Sequence, residues 1–256
     1  MDSESRTKAS SALRRELHSL HAEATPQGCK VLCSSLWLGN ALRRGLLTAV
    51  PVLACTGVQI LQNDSGYSDE QLAHRCGQLA LQSDQTTASG VIEVTGRSVL
   101  GSDIRLQGAR VAPHDETCVI APLNHEQKLH AKLQCTRGRP LRHAKFQSVV
   151  APGFWPEVRF TKSPNKMARA LLKAAGYTVN SSNVVNSTRP GPVRREAVAE
   201  AGGRDLPDFC DFDRVVINVE SLGQVPAIEC VRIAIEGLLS DMDSVCSKLD
   251  LVSKCA

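Results

Sequence analysis

Four residues near the start of the chain have side chains that commonly bind zinc: His18, His21, Cys29 and Cys33. Structural zinc sites usually contain tighter cysteine pairs than this group, in which three residues separate the two cysteines. The ten cysteines of the chain include no Cys-x-x-Cys pair, which is typical of free thiols in a reducing compartment. A buried segment without a metal is therefore the favoured interpretation, and we predict no metal ion and no cofactor.

Two histidines lie beside basic residues, an arrangement that could supply a general base or a phosphate contact. His74 precedes Arg75, and His143 lies two residues before Lys145. Geometry rather than adjacency defines a catalytic pair, so a solvated or backbone-bonded histidine is the simpler interpretation. The sequence also lacks the glycine-, histidine- and serine-based motifs of nucleotide-binding proteins, metalloproteases and α/β-hydrolases. We predict no catalytic residue, and a hydrolase that uses His74 is the least favoured functional class.

The composition indicates a folded protein without a dominant charge. Apolar residues make up 42% of the 256 residues, which is enough for one large or two modest domains. A net charge of +4 and an aromatic content of 4% argue against a dedicated nucleic-acid binder. No apolar run approaches the ~20 residues that cross a bilayer, and the first residues lack the apolar core of a secretory signal. We expect a soluble, intracellular protein without membrane contacts.

The elements that would position these residues begin with a helix over residues 36–50. Its apolar positions recur at spacings of three and four, and Pro51 ends it. Residues 12–22 also fit a helix, with a strand as the alternative, and residues 30–34 fit a short strand. Residues 54–60 alternate as a half-buried strand does.

The middle of the chain is expected to be rich in strands. Ser68 and Gln71 form a capping box that starts a short helix through Cys76. Strands are predicted at 91–94, 103–106 and, most clearly, 128–136.

Residues 162–206 contain two predicted helices separated by a loop. Ser163 and Pro164 supply a cap and a first helical residue for a helix that runs to Ala175. The polar residues 180–192 are expected to form a surface loop, and 193–201 a short helix.

The last 45 residues contain the longest periodic segment, which follows a strand predicted at 212–219. From 226 to 253 a helix about 40 Å long is expected. Its apolar residues follow alternating spacings of three and four: Ile228, Val231, Ile235, Leu238, Met242, Val245 and Leu249. Such a narrow stripe suits packing against one partner helix, although packing within the chain explains the periodicity equally well.

Four segments, in order, resemble the larger alpha-like subunit of multisubunit DNA-directed RNA polymerases. They are LGNALRRGLL at 38–47, NDS with DEQLAHRCG at 63–77, RHAKF at 142–146 and NVESLG at 218–223. The second and third resemble the archaeal and eukaryotic D-type branch. Any one of these motifs would be weak, whereas four in the right order make the match specific.

This resemblance implies an α+β fold with a discontinuous dimerisation domain. That domain, two helices on a small antiparallel sheet, would comprise residues 1–50 and 207–256. A strand-rich insert domain would occupy 51–206. The stretch 162–206 is longer and more polar than the family leads us to expect, and it has no predicted role.

The resemblance also implies a non-catalytic assembly subunit that pairs with a smaller alpha-like subunit. Burying the seven seam residues fully would give a gross gain of roughly 10–20 kcal/mol. The expected dimer interface comprises Leu38, Leu42, Leu46, Ile228, Val231, Ile235, Leu238, Met242, Val245 and Leu249. The expected contact with the second-largest subunit comprises Asn40, Arg43, Arg44, His74, Arg75, His143 and Lys145.

Further expectations concern the rest of the assembly. The largest subunit and the small polymerase subunits would join later, and DNA would be reached only through the complex. The rival function is a DNA-binding transcription factor that uses the basic segment 137–145. Nuclear, cytoplasmic and virion locations all stay open.

Overall fold

The computed structural model describes residues 20–25, 28–188, 192–203, 206–210 and 214–255, without the side chains of 151 and 249–255. Within these ranges the α-helices are α1 (Leu36–Thr48), α2 (Asp69–Gly77), α3 (Lys166–Ala174), α4 (Arg195–Gly202) and α5 (Ala227–Cys255). The strands of the same ranges are β1 (His21–Thr25), β2 (Gly28–Cys33), β3 (Val52–Asn63), β4 (Leu81–Gln82), β5 (Thr87–Thr95), β6 (Val99–Leu100), β7 (Arg105–Gln107), β8 (Arg110–Val111), β9 (Val119–Ala121), β10 (Lys128–Gly138), β11 (Val149–Pro156), β12 (Tyr177–Val179), β13 (Val185–Ser187) and β14 (Val215–Ser221). Short 3-10 turns occupy Gly101–Asp103 and Ala144–Phe146.

The first and last elements of the chain form a two-layer structure, with two helices packed on one sheet. Strands β1, β2, β14 and β11 make an antiparallel sheet in that order, with Val31 of β2 opposite Ile217 of β14. Helices α1 and α5 share a core with β2 and β14, in which Leu42, Leu46 and Cys230 are fully buried. The predicted arrangement of two helices on a small antiparallel sheet is confirmed.

A second sheet lies between these terminal elements in the sequence. Its antiparallel order is β3-β10-β5-β7, and α2 packs against β3. Alternate residues of the central strand β10, among them Leu129 and Leu133, enter a core that also holds Leu72 of α2. The strand predicted at 128–136 and the helix predicted from the capping box are both present, and the α+β class is confirmed.

The two sheets are joined through the segment that carries the fourth motif. Phe146 packs with Val52, Ala54 and Val225 in a small core of its own. The Gln82 side-chain amide donates to the Gly223 carbonyl over 2.7 Å. Strand β11, which follows Phe146 in sequence, pairs with β14 in the terminal sheet.

Residues 158–209 contain a third hydrophobic core, and here two predictions were wrong. The expected loop at 180–192 contains strand β13, which pairs with β12 and buries Val185 against Leu172 and Val198. The N-cap of α3 is Asn165 rather than Ser163, because the Asn165 side chain accepts a hydrogen bond from the Ala168 N–H. Residues 189–191 lie outside the described part of the chain.

Two further predicted boundaries changed. The helix predicted over 12–22 is wrong at its end, where β1 pairs with β2 from His21 onward; residues 12–19 are outside the described ranges. The strand predicted from 212 starts at Val215: Arg214 is described and lies outside it, and residues 211–213 are not described. Local apolar spacing does not identify β1, since that strand depends on a partner for its hydrogen bonds.

Candidate subunit interface

Helices α1 and α5 cross at small residues. A β-carbon on Gly45 of α1 would lie 3.6 Å from the Ala234 carbonyl oxygen, and one on Gly237 would lie 3.4 Å from the Ala49 β-carbon. A single β-carbon at either glycine would make an ordinary van der Waals contact, so the helices are close enough here that only small residues fit between them. The crossing fixes the position of α5 as far as Leu238, the last residue of this helix that packs against the terminal core in the described structure.

The apolar stripe of α5 is divided between the core and the surface. Along one row, Val231 is 3% exposed, Leu238 is half-buried against the core, and Val245 is 55% exposed. Along the other row, Ile228 is 47% exposed, while Ile235 and Met242 are half-buried. The side chain of Leu249 is outside the described set. Where the helix extends past α1, beyond Leu238, the residues of the stripe therefore no longer pack against the terminal core.

Three α1 residues predicted for the dimer interface lie inside the chain. Leu38, Leu42 and Leu46 are each at most 1% exposed, and Val231 of α5 is 3% exposed. Their side chains already contact other parts of this chain, so they have almost no surface left for a partner. The surface available for pairing is smaller than the sequence predicts.

The outward face of α1 carries the predicted basic contact residues. Asn40 and Arg44 are exposed, and Arg43 donates to the Asn40 side-chain oxygen over 2.8 Å. Trp37, three residues before Asn40 and seven before Arg44, is 53% exposed on the same face. Tryptophan and arginine are the residue types most often found at the energetic centre of protein interfaces.

The structure brings three other predicted contact residues together across the insert. His74 of α2, His143 and Lys145 line one cavity of about 210 Å³ beside β3. His143 accepts the Lys145 backbone N–H at its Nδ1 over 3.1 Å and so caps the 3-10 turn. Although 68 residues separate His74 from His143, the cavity presents both imidazoles and an ammonium group on one surface.

Arg75 has a different role from the one the sequence predicts. Its Nε donates to the Ile120 carbonyl over 2.7 Å, and its Nη2 donates to the Val119 carbonyl. The guanidinium also lies 5.2 Å from the centre of the Tyr67 ring. These contacts within the chain fasten α2 to β9.

Comparison with known proteins identifies the family. Residues 35–242, which include α1 and most of α5, match the RNA polymerase Rpb3/Rpb11 dimerisation domain. The chain belongs to this family. The resemblance to the larger alpha-like, D-type subunit of multisubunit RNA polymerases is confirmed.

Archaeal relatives match over most of the chain. The DNA-directed RNA polymerase subunit Rpo3 of Pyrococcus horikoshii is 28% identical over 84% of this chain and 90% of its own length. The subunits of the same name from Thermococcus kodakarensis and Natronomonas pharaonis are 28% and 27% identical, over 89% and 80% of this chain and 95% and 86% of their own lengths. The function as an assembly subunit of DNA-directed RNA polymerase follows from this membership. The rival function as a DNA-binding transcription factor has no support.

The candidate zinc residues of this alpha-like subunit do not form a site in the described chain. Cys29 and Cys33 are buried in the terminal core, whereas His21 is exposed and hydrogen-bonded to Glu23; His18 is not described. Burial raises the pKa of the Cys33 thiol to about 11, which disfavours the thiolate that zinc binds. Among the described residues, no group of three or more metal-binding side chains is assembled.

Sequence reasoning missed the exposed apolar residues at the start of α1. Leu36 and Trp37 are 58% and 53% exposed, and both precede the buried stripe of Leu38. The sequence did contain a signal for this exposure. Leu36 and Trp37 do not belong to the stripe of Leu38, Leu42 and Leu46, whose members are four residues apart and face the core. In the part of the chain that the structure describes, no helix has the length and apolar character to span a membrane.

Proposed function

We propose that this chain is the non-catalytic assembly subunit that pairs with a smaller alpha-like subunit through the exposed side of α5. One observation carries the proposal: the apolar stripe leaves the chain's own core after Leu238, while the helix continues to Cys255. On this extension Val245 is 55% exposed, and Met242 is half-buried. A second amphipathic helix is the partner that such a stripe suits.

The size of the available apolar surface supports a stable pair. Five members of the stripe keep part of their surface in water: Ile228, Ile235, Leu238, Met242 and Val245. About half of Ile228 and of Val245 is exposed, and at most about a third of each of the other three. Covering this surface would contribute a gross 2–6 kcal/mol, roughly, before ordering costs. This is less than the sequence alone indicates, because Val231 is already buried. The exposed Leu36 and Trp37 of α1 could add to the same or a neighbouring contact.

The second-largest subunit would dock on the basic face of α1 and on the cavity of the insert. Arg43 and Arg44 present guanidinium groups that can bind carboxylates in a bidentate manner. The cavity lined by His74, His143 and Lys145 presents further donors for acidic or polar groups. The largest subunit, which would carry the catalytic metal, and the small subunits would follow, and DNA would be bound by the complex.

Co-expression with the smaller alpha-like subunit from the same source tests the pairing. The wild-type chains should co-purify as a 1:1 complex. The double variant Met242→Asp/Val245→Asp should not, because it would place two unpaired charges in the interface. Ser244→Asp, on the exposed side of the same helix turn, is the matched control and should pair normally. Two wild-type monomers at micromolar concentration, or a double variant that still pairs, would contradict the proposal.

The docking and the absence of catalysis are tested on the purified pair. Arg43→Glu/Arg44→Glu should weaken capture of the second-largest subunit at least tenfold while leaving the heterodimer intact, and Lys132→Glu on the insert sheet is the control. The pair alone should incorporate no nucleotides on a DNA template, whereas the reconstituted complex should. Nucleotide incorporation by the pair alone would overturn the non-catalytic assignment.

A further inference from the structure

Two cysteines of the insert sheet are directly opposite each other. Cys55 of β3 and Cys135 of β10 are register partners in an antiparallel pair. Such partners have Cα atoms about 4.5–5.5 Å apart and side chains on the same face, within the range that disulfides span. Both side chains are in the same core, and the Cys55 thiol donates to the Gly57 carbonyl over 3.5 Å. Both are reduced in the structure.

A cavity at the surface borders one member of this pair, Cys55. Cys55 is one of the residues that line the space of about 210 Å³ beside His74, His143 and Lys145. Hydrogen peroxide is small enough to enter such a space, since about 30 Å³ suffices for a water molecule. The lining is basic: it contains an ammonium group and two imidazoles, and no carboxylate is among its residues in the described chain.

The two sulfurs are not equivalent. The hydrogen bond from the Cys135 thiol lowers the pKa of Cys55, and the charge of Lys145 acts in the same direction against the effect of burial. The same hydrogen bond raises the pKa of Cys135. Cys76 of α2 is also nearby, but burial raises its pKa to about 12. Cys55 is therefore the thiol of this group that most readily forms the nucleophilic thiolate.

We propose that Cys55 and Cys135 are an oxidant-sensitive thiol pair, which hydrogen peroxide converts into a disulfide linking β3 to β10. The Cys55 thiolate attacks one peroxide oxygen, an S–O bond forms, the O–O bond breaks, and the departing oxygen takes a proton to leave as water. The Cys135 sulfur then attacks the Cys55 sulfenic acid, losing its proton as the S–S bond forms and the hydroxyl leaves as a second water. Two thiols are oxidised by two electrons, and one peroxide is reduced to two waters.

Peroxide treatment of the full chain, followed by alkylation and mass analysis of unreduced peptides, tests this site. The expected product is a peptide pair linked through Cys55 and Cys135, lighter than the two free peptides by about 2 Da and separated again by dithiothreitol. The exposed Cys118 is an internal reference for unselective oxidation. Recovery of Cys55 as a free thiol while Cys118 is oxidised, or a link from Cys55 to Cys76, would overturn the proposal.

Variants assign the roles of the two sulfurs. Cys135→Ala should leave Cys55 as a sulfenic acid that dimedone traps, and Cys55→Ala should leave Cys135 unoxidised. Lys145→Gln should slow disulfide formation about threefold, because the lysine charge that lowers the pKa of Cys55 is removed, with Lys132→Gln as control. An unchanged rate in Lys145→Gln, or oxidation of Cys135 in Cys55→Ala, would contradict the assignment. The wild-type linkage test does not depend on how well the variants fold, and it is independent of subunit pairing.

Discussion

The ring of Phe146 lies over the backbone of Gly138, so closely that a β-carbon on Gly138 would be 2.5 Å from the ring carbon Cζ. This contact holds the 3-10 turn Ala144–Phe146 against the end of β10. It thereby positions His143 and Lys145 beside α2. Glycine at 138 is required for this close approach and not for an unusual backbone angle.

Gly138→Ala should lower the free energy of unfolding by about 1–3 kcal/mol, because the aromatic ring must move away from a well-packed position. Urea unfolding measures the change. Gly57→Ala is the matched control in the partner strand β3, since its β-carbon would meet Gln134 at an ordinary 3.5 Å. Equal stability of the two variants would show that the ring contact is not tight.

The divided stripe of α5 predicts opposite effects for two valines. Val231→Ala removes methyl groups from the chain's own core and should reduce the stability of the isolated chain by about 2 kcal/mol. Val245→Ala should change that stability by less than about 0.5 kcal/mol, because the side chain is largely in water.

Pairing with the smaller alpha-like subunit should show the reverse order. Val245→Ala should weaken the heterodimer, whereas Val231→Ala should pair normally wherever it is folded. Thermal unfolding of the single chain and titration of the pair separate the two effects. If Val245→Ala destabilises the single chain as much as Val231→Ala does, the extension is packed within its own chain.

The hydrogen bonds of Asp103 should stabilise the folded protein in a way that depends on pH. Its carboxylate accepts hydrogen bonds from the Arg97 guanidinium and the Leu100 N–H, and the Arg97 hydrogen bond holds the pKa of Asp103 below its usual 3.8. Because the folded pKa is lower than the unfolded one, this contribution is complete above about pH 4. It is lost as the pH falls through the folded value.

Asp103→Asn should therefore lower the urea midpoint by a constant amount between pH 5 and pH 7, and by less below about pH 4. Arg97→Gln, which removes the partner instead, should show the same pH dependence. A difference from wild type that persists unchanged at pH 2 would mean that the carboxylate charge is not the cause.

Replacing the capping residue at the start of α2 should lower the stability of the protein without changing its packing. The Ser68 hydroxyl accepts the Gln71 N–H over 3.3 Å, and the Gln71 side chain accepts the Ser68 N–H over 3.0 Å. Ser68→Ala should cost about 1 kcal/mol in thermal or urea unfolding. Ser68→Asp, which restores an acceptor at the helix N-terminus, should recover most of it. Failure of the aspartate to recover stability would contradict a capping role.

Local patterns in the sequence were sufficient for α1, α2, β10 and α5. Each of these depends on apolar spacing, a cap or a stop residue within a few positions, as at Ser68 or Pro51. The order of four motifs was sufficient for the family. None of this requires knowledge of which elements meet in space.

The tertiary structure decided what depends on distant parts of the chain. Strands β1 and β13 exist because a partner strand satisfies their hydrogen bonds, and α5 is half-covered because α1 ends where Gly45 and Ala49 cross it. His74 and Lys145 line one cavity because α2 packs on β3. The sequence by itself determined α1, α2, β10 and α5 from short-range patterns, and the family from the order of its motifs. Long-range packing decided which apolar residues stay exposed for a partner. The periodicity of a single helix shows which residues share a face, but not which of them other elements of the chain cover.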